Sequence, residues 1–130
     1  MILGIDHGRA KLGLARADGP LAEPYMVVRV KSTEDALKKV AKIVKAEQIA
    51  WVIVGVSEGV MGREQEEFAT GLREILDVPV ETWDETLSTQ DAQAYAINMG
   101  IGRRRRQERE DAYAAAIMLQ SYLDKGTEKL

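Results

Sequence analysis

The run from Ala50 to Val56 constrains the fold most, because nearly all of its residues are apolar. A short run of this kind is typical of a strand buried on both faces of an α/β sheet. Apolar residues before and after it recur at helical spacing and predict helices over residues 33–47 and 63–76. Residues 79–83 then predict another strand. It should run parallel to the strand at Ala50–Val56, because the connection between the two contains a helix.

The N-terminal part of the chain predicts three more strands joined by short, glycine-containing turns. Residues 2–6 and 11–15 are candidates for a hairpin, and residues 25–30 for the third strand of an antiparallel meander. Helical spacing also predicts helices over residues 89–98 and 109–124. The expected fold class is therefore α/β, in one domain spanning the chain. Its mixed five-stranded sheet has three antiparallel strands then two parallel ones, flanked by helices.

Composition excludes several kinds of catalytic site. The chain has 130 residues and a net charge of −3, which excludes a uniformly basic surface but leaves room for a local basic patch. It contains no Cys and a single His, His7, so thiolate zinc sites, cysteine nucleophiles and multi-histidine metal sites are excluded. A metal would be held by oxygen ligands, which favours Mg²⁺ or Mn²⁺.

Targeting signals are not evident in the sequence. The N-terminus has no basic region of the kind that begins a signal peptide. The apolar runs are far shorter than the ~20 residues that a membrane helix needs. We therefore expect a cytoplasmic protein with no membrane partner.

Acidic residues follow the predicted parallel strands. Asp6 closes the first strand, and Asp84 and Glu85 close the last one. The carboxyl ends of parallel strands form the ligand-binding edge of an open α/β sheet. Asp111 shares a helical stripe with Ala115, so it lies on a packed face near the start of the last helix. We expect Asp6, Asp84 or Glu85, and Asp111 to share a divalent ion, an arrangement suited to phosphoryl chemistry.

Arginines are concentrated just before Asp111. A run of like charges is usually a solvated face. Beside an acidic metal site on a net-negative protein, however, it could hold a nucleic-acid backbone, because Arg makes bidentate contacts to phosphate. The candidate nucleic-acid contacts are these arginines and two cations of the first hairpin: Arg103, Arg104, Arg105, Arg106 and Arg109, with Arg9 and Lys11.

Four segments of the chain occur in the order found in a known family. Residues 4–15 read Gly-Ile-Asp-His-Gly-Arg-Ala-Lys-Leu-Gly-Leu-Ala, and residues 83–89 read Trp-Asp-Glu-Thr-Leu-Ser-Thr. Residues 52–55 together with residues 62–65 correspond to the central strand and its loop, and residues 111–123 correspond to the terminal helix. Together these segments resemble the YqgF/RuvX family of Holliday junction resolvases and pre-16S rRNA nucleases, and the resemblance extends along essentially the whole chain.

The resemblance implies a ribonuclease H-like fold and a divalent-metal-dependent endonuclease that acts on structured RNA or branched DNA. It implies that Asp6, Asp84, Glu85 and Asp111 are catalytic, with Asp6, Glu85 and Asp111 holding Mg²⁺ or Mn²⁺. Thr86 stands where the family usually has Arg, which removes an expected contact to phosphate.

Three kinds of function are compatible with the sequence. The resemblance favours an enzyme that processes the 5′ end of pre-16S rRNA in ribosome biogenesis, ahead of one that resolves Holliday junctions in DNA recombination or repair. A resolvase would act as a symmetric dimer on a two-fold substrate, so both a monomer and a homodimer are kept. The second kind is a non-catalytic nucleic-acid-binding module. The third, an ATP-binding domain like those of actin and sugar kinases, normally needs two such domains and is least favoured.

Overall fold

The computed structural model describes residues 1–84 and 103–126, with side chains for residues 110–125 of the second segment. Five strands form one sheet in the order β3-β2-β1-β4-β5. The strands are β1 (Ile2–His7), β2 (Lys11–Ala17), β3 (Ala22–Arg29), β4 (Trp51–Val56) and β5 (Val80–Asp84). The described helices are α1 (Thr33–Ala46), α2 (Gly59–Ile75) and α3 (Arg103–Gly126).

Strand directions confirm the mixed sheet predicted from the sequence. Strand β2 pairs antiparallel with both β1 and β3, whereas β4 pairs parallel with β1 and β5. In the register, Ile5 pairs with Val54, and Val56 pairs with Asp84. Strands β1, β4 and β5 therefore end at the same side of the sheet, which we call the carboxyl edge.

Helices cover both faces of the sheet, as the doubly buried strand β4 requires. Helices α1 and α2 pack on one face, where residues such as Val40 and Phe68 bury Leu3 and Ile5 of β1. Helix α3 packs on the other face and comes close because small residues line the contact. A β-carbon built on Gly4 would lie 3.0 Å from Cβ of Leu119.

The predicted boundaries differ from the observed ones most at three elements. Strand β3 begins at Ala22 and contains Pro24, which is tolerated because β3 is an edge strand and its register with β2 shifts there. Helix α2 begins at Gly59 rather than at residue 63. The prediction missed the first turn because its residues lack the helical apolar spacing on which the prediction relied. Helix α3 begins at Arg103 rather than residue 109, so the backbone of the arginine run is helical.

Other expectations are confirmed locally or lie outside the described residues. Helix α1 begins as predicted, with Ser32 Oγ accepting a hydrogen bond of 3.1 Å from Asp35 N–H. The predicted helix over residues 89–98, and also Glu85 and Thr86, lie outside the described residues. Within residues 1–84 and 103–126, no helix is long and apolar enough to cross a membrane.

Candidate active site

Asp6 and Asp111 lie on the same face of the sheet, around Gly13. Asp6 pairs with Gly13 across the β1–β2 ladder. A β-carbon on Gly13 would overlap the carbonyl group of Asp111 and lie 2.7 Å from Asp111 Cβ. Directly opposed residues of an antiparallel pair project from the same face. The face that carries the Asp6 side chain is therefore the face on which α3 presents Asp111.

Lys11 supplies a cation to this acidic site. Its Nζ lies 3.0 Å from Oδ2 of Asp111, and the two side chains are 42% and 31% exposed. Lys11 stands two residues before Gly13 in β2, so strand alternation places it on the same face. The site therefore contains an ion pair between a hairpin residue and a residue of α3.

Asp84 ends β5 at the same carboxyl edge but on the opposite face. Its neighbour Trp83 faces α3, since Trp83 Nε1 donates a hydrogen bond of 3.2 Å to Ser121 Oγ. Alternation then directs Asp84 toward α2, where it lines a cleft of about 270 Å³ with Glu58 and Glu66. Strand β4 also lies between β1 and β5, so these two strands are about 9.6 Å apart. The position of Asp84 therefore differs from that of Asp6 in both strand and face.

Gln65 links the ends of β1 and β4, and sequence reasoning gave it no role. Its side chain is 1% exposed. Nε2 donates to the carbonyl oxygen of His7 at 3.2 Å, while Oε1 accepts from N–H and Oγ of Ser57 at 2.7 and 3.0 Å. Gln65 lies on the stripe of α2 that contains Phe68 and Leu72, so a polar residue in an otherwise apolar stripe was the signal available.

His7 is buried on the face that α1 and α2 cover, away from Asp111. Its ring stacks on Phe68 with the centroids 4.5 Å apart. Nδ1 has no hydrogen-bond partner within the described part of the chain. Burial lowers the pKa of His7, because the charged imidazolium loses solvation, and the nearby Glu64 carboxylate opposes this shift only in part.

Arg9 is paired with a carboxylate of α2. Its Nε lies 3.0 Å from Glu64 Oε2 and its Nη2 lies 2.9 Å from Glu64 Oε1, which is a bidentate arrangement. Hydrogen bonding from this guanidinium lowers the pKa of Glu64. The two hairpin cations predicted to contact nucleic acid, Arg9 and Lys11, are thus paired with acids. The side chains of Arg103–Arg106 and Arg109 lie outside the described ones, so their predicted contacts stay predictions.

Two of the three predicted metal ligands, Asp6 and Asp111, lie among the residues that the structure describes. Among residues 1–84 and 110–125, no group of three or more His, Asp or Glu side chains is placed to hold a metal ion. Glu85, the third predicted ligand, lies outside these ranges. Asp6 and Asp111 are carboxylates of the type that Mg²⁺ and Mn²⁺ prefer, and Asp111 already accepts a cation, the Lys11 ammonium. The donor chemistry of the site therefore fits a divalent ion.

Sequence comparisons identify relatives along the whole chain. The RuvX family, described as Holliday junction resolvase, matches residues 1–125. A protein of Anaeromyxobacter sp. named "Putative pre-16S rRNA nuclease" is 39% identical and covers 94% of this chain and 95% of its own. A protein of the same name from Caldanaerobacter subterraneus is 36% identical and covers 95% of each chain.

Comparisons with solved structures identify the fold. The T. thermophilus RuvC in complex with Holliday junction substrate has a TM-score of 0.66 at 18% identity, covering 97% of this chain and 96% of that one. The Fowlpox virus resolvase with Holliday junction DNA has a TM-score of 0.62 at 14% identity, covering 95% and 96%. These similarities confirm the predicted ribonuclease H-like fold.

Proposed function

Because this chain belongs to the RuvX family of Holliday junction resolvases, we propose that it is a divalent-metal-dependent endonuclease that hydrolyses phosphodiester bonds in nucleic acid. The proposed substrate is the 5′ end of pre-16S rRNA, in line with the names of the relatives. An enzyme with this substrate would act in the cytoplasm. The second candidate substrate is a Holliday junction, which the fold neighbours bind. The protein would act as a monomer on RNA or as a homodimer on a two-fold junction.

The juxtaposition of Asp6 and Asp111 around Gly13 carries the proposal. One carboxylate comes from the end of β1 and the other from α3, and the close backbone approach at Gly13 holds the two elements together. We propose that Asp6, Glu85 and Asp111 hold Mg²⁺ or Mn²⁺. A catalytic role for Asp84 stays a prediction, because Asp84 lies on the other face of the sheet from Asp6. A bound ion there would polarise a phosphate and activate a water molecule.

The arginine run is the proposed contact to the nucleic-acid backbone. Residues Arg103–Arg106 and Asp111 belong to the same helix. At 1.5 Å per residue, the run lies about 8–12 Å along the helix axis from Asp111. A phosphate backbone seated on these guanidinium groups would extend past the acidic site.

A cleavage panel tests the proposed function. The substrates are a pre-16S rRNA 5′ leader, single strands and four-way DNA junctions, each incubated with Mg²⁺, Mn²⁺, Ca²⁺ or EDTA. We expect cleavage with Mg²⁺ and Mn²⁺. Ca²⁺ should support binding without efficient turnover, because its longer and more numerous ligand bonds do not enforce the geometry that aligns water and phosphate.

Asp6→Asn is the diagnostic variant. We expect it to abolish cleavage and to retain the circular dichroism spectrum of the fold, because the substitution is isosteric. Asp77→Asn, an exposed Asp between α2 and β5, is the matched control and should cleave normally. Protein that cuts nothing on the panel, and binds nucleic acid equally well in EDTA, would instead be a non-catalytic binding module.

A further inference from the structure

The Lys11–Asp111 ion pair joins the hairpin to α3 inside the candidate metal site. The Nζ–Oδ2 distance is 3.0 Å, and both side chains are partly exposed. The backbone of Lys11 is fixed at the start of β2, where its carbonyl oxygen accepts the N–H of Gly8 at 3.0 Å. The flexible part of the pair is therefore the four-carbon stem of Lys11.

Asp111 has much less freedom to move than Lys11. Its backbone lies against Gly13, and the following residues Ala112 and Ala115 are fully buried. A displacement of the Asp111 backbone would require α3 to lift from the sheet, and the short Asp111 side chain reaches less far than the stem of Lys11. When two cations compete for the Asp111 carboxylate, the ammonium is the group that can leave.

A lysine ammonium and a divalent cation repel each other, so both cannot sit against the same carboxylate without a penalty. We propose that Lys11 competes with the divalent ion for Asp111 and leaves the carboxylate when the ion binds. The proposal rests on the metal site of the proposed function. It makes Lys11 a positioning residue: its ammonium offsets the repulsion between Asp6 and Asp111 in the metal-free protein and lowers the affinity for metal.

The chain contains a matched ion pair that serves as the control. Lys39 Nζ lies 3.1 Å from Asp35 Oδ2, with side chains 41% and 28% exposed, values close to those of the Lys11–Asp111 pair. This second pair lies at the start of α1, on the face of the sheet opposite α3. Lys39→Met therefore removes the same charge and the same type of ion pair away from the site, together with the hydrogen bond of 2.8 Å that Lys39 Nζ donates to the carbonyl oxygen of Arg29.

The experiment measures Mn²⁺ alone, by isothermal titration calorimetry and by the loss of the free Mn²⁺ electron paramagnetic resonance signal. The proteins are the wild type, Lys11→Met, Lys11→Gln, Lys39→Met and Asp111→Asn. We expect both Lys11 variants to bind Mn²⁺ about three- to tenfold more tightly, because they lose a competing ion pair and a like charge. Lys39→Met should stay within about twofold of the wild type, because a remote, exposed charge is screened.

Thermal unfolding supplies an independent readout. Without metal, the Lys11 variants should melt at a lower temperature than the wild type, because the Asp111 carboxylate has lost its cation. Saturating Mn²⁺ should raise their melting temperature by more than it raises that of the wild type, since tighter binding to the folded state stabilises it more.

Two results would overturn the inference, and they are distinguishable. Mn²⁺ affinity of Lys11→Met and Lys11→Gln that equals or falls below that of Lys39→Met would show that Lys11 does not compete, while the metal site stands. Unchanged Mn²⁺ binding by Asp111→Asn would remove Asp111 from the metal site and overturn both proposals.

Discussion

The carbonyl group of Asp111 occupies the position that a β-carbon on Gly13 would take. Helix α3 can therefore lie directly on β2 only because residue 13 has no side chain. Gly13 is also the cross-strand partner of Asp6, so this contact sets the position of one candidate ligand relative to the other. The glycine belongs to the candidate site although it supplies no functional group.

We expect Gly13→Ala to destabilise the protein by about 1–3 kcal/mol, since overpacking against a backbone carbonyl has no flexible neighbour to relieve it. The variant should also bind Mn²⁺ more weakly, because α3 must move Asp111 away from Asp6. Gly71→Ala is the control. Its β-carbon would lie 3.2 Å from the flexible tip of Leu37, and alanine favours the helix. If Gly13→Ala gave the same unfolding curve and the same Mn²⁺ titration curve as the wild type, this account of the site would be wrong.

Gln65→Leu should destabilise the protein by about 1–3 kcal/mol for the buried backbone group that it leaves unpaired, and by less for the half-buried one. The groups are the carbonyl of His7 and the N–H of Ser57, at the ends of β1 and β4. Urea denaturation measures the loss. Glu74→Leu, on the exposed face of α2, should change stability little. Equal midpoints for the two variants would mean that the Gln65 hydrogen bonds do not stabilise the fold.

Replacing the four arginines Arg103–Arg106 with Ala should weaken binding to all nucleic acids alike and flatten its salt dependence. Each lost phosphate contact lowers the slope of log affinity against log salt by about one, because fewer counterions are released. The control replaces four lysines of α1, which removes the same total charge: Lys38, Lys39, Lys42 and Lys45. Equal slopes for the two quadruple variants would show that the arginine run is only a solvated surface.

His7 is the single histidine of the chain, and it should make stability depend on pH below about 7. Burial lowers its pKa in the folded protein, so the unfolded chain binds the proton more readily. The free energy of unfolding is therefore highest above pH 6.5 and falls as the pH drops toward the folded pKa. His7→Phe, which keeps a ring against Phe68, should remove this slope. Urea midpoints of both proteins at pH 7.5 and 5.5 test it, and identical slopes would exclude His7 as the cause.

Local patterns in the sequence predicted much of the fold. The apolar run at Ala50–Val56 and the helical spacing in residues 33–47 identified β4 and α1, because burial on a strand or on a helix face imposes its own period on the residues. The boundaries of β3 and α2 were less predictable. Pro24 is acceptable only on an edge strand, and the start of α2 depends on Gly62 packing against the carbonyl of Ser57.

The sequence by itself determined that acids follow the parallel strands, since residue type and strand order are local properties of the chain. Only the tertiary structure decided that Asp6 faces α3 whereas Asp84 faces α2, because the face depends on the register of strands distant in sequence. It also decided that Lys11 pairs with Asp111, and that Gly13 allows α3 to reach the sheet. These contacts join residues about a hundred positions apart, and their geometry is set by how closely a helix and a sheet pack, which no short-range pattern encodes.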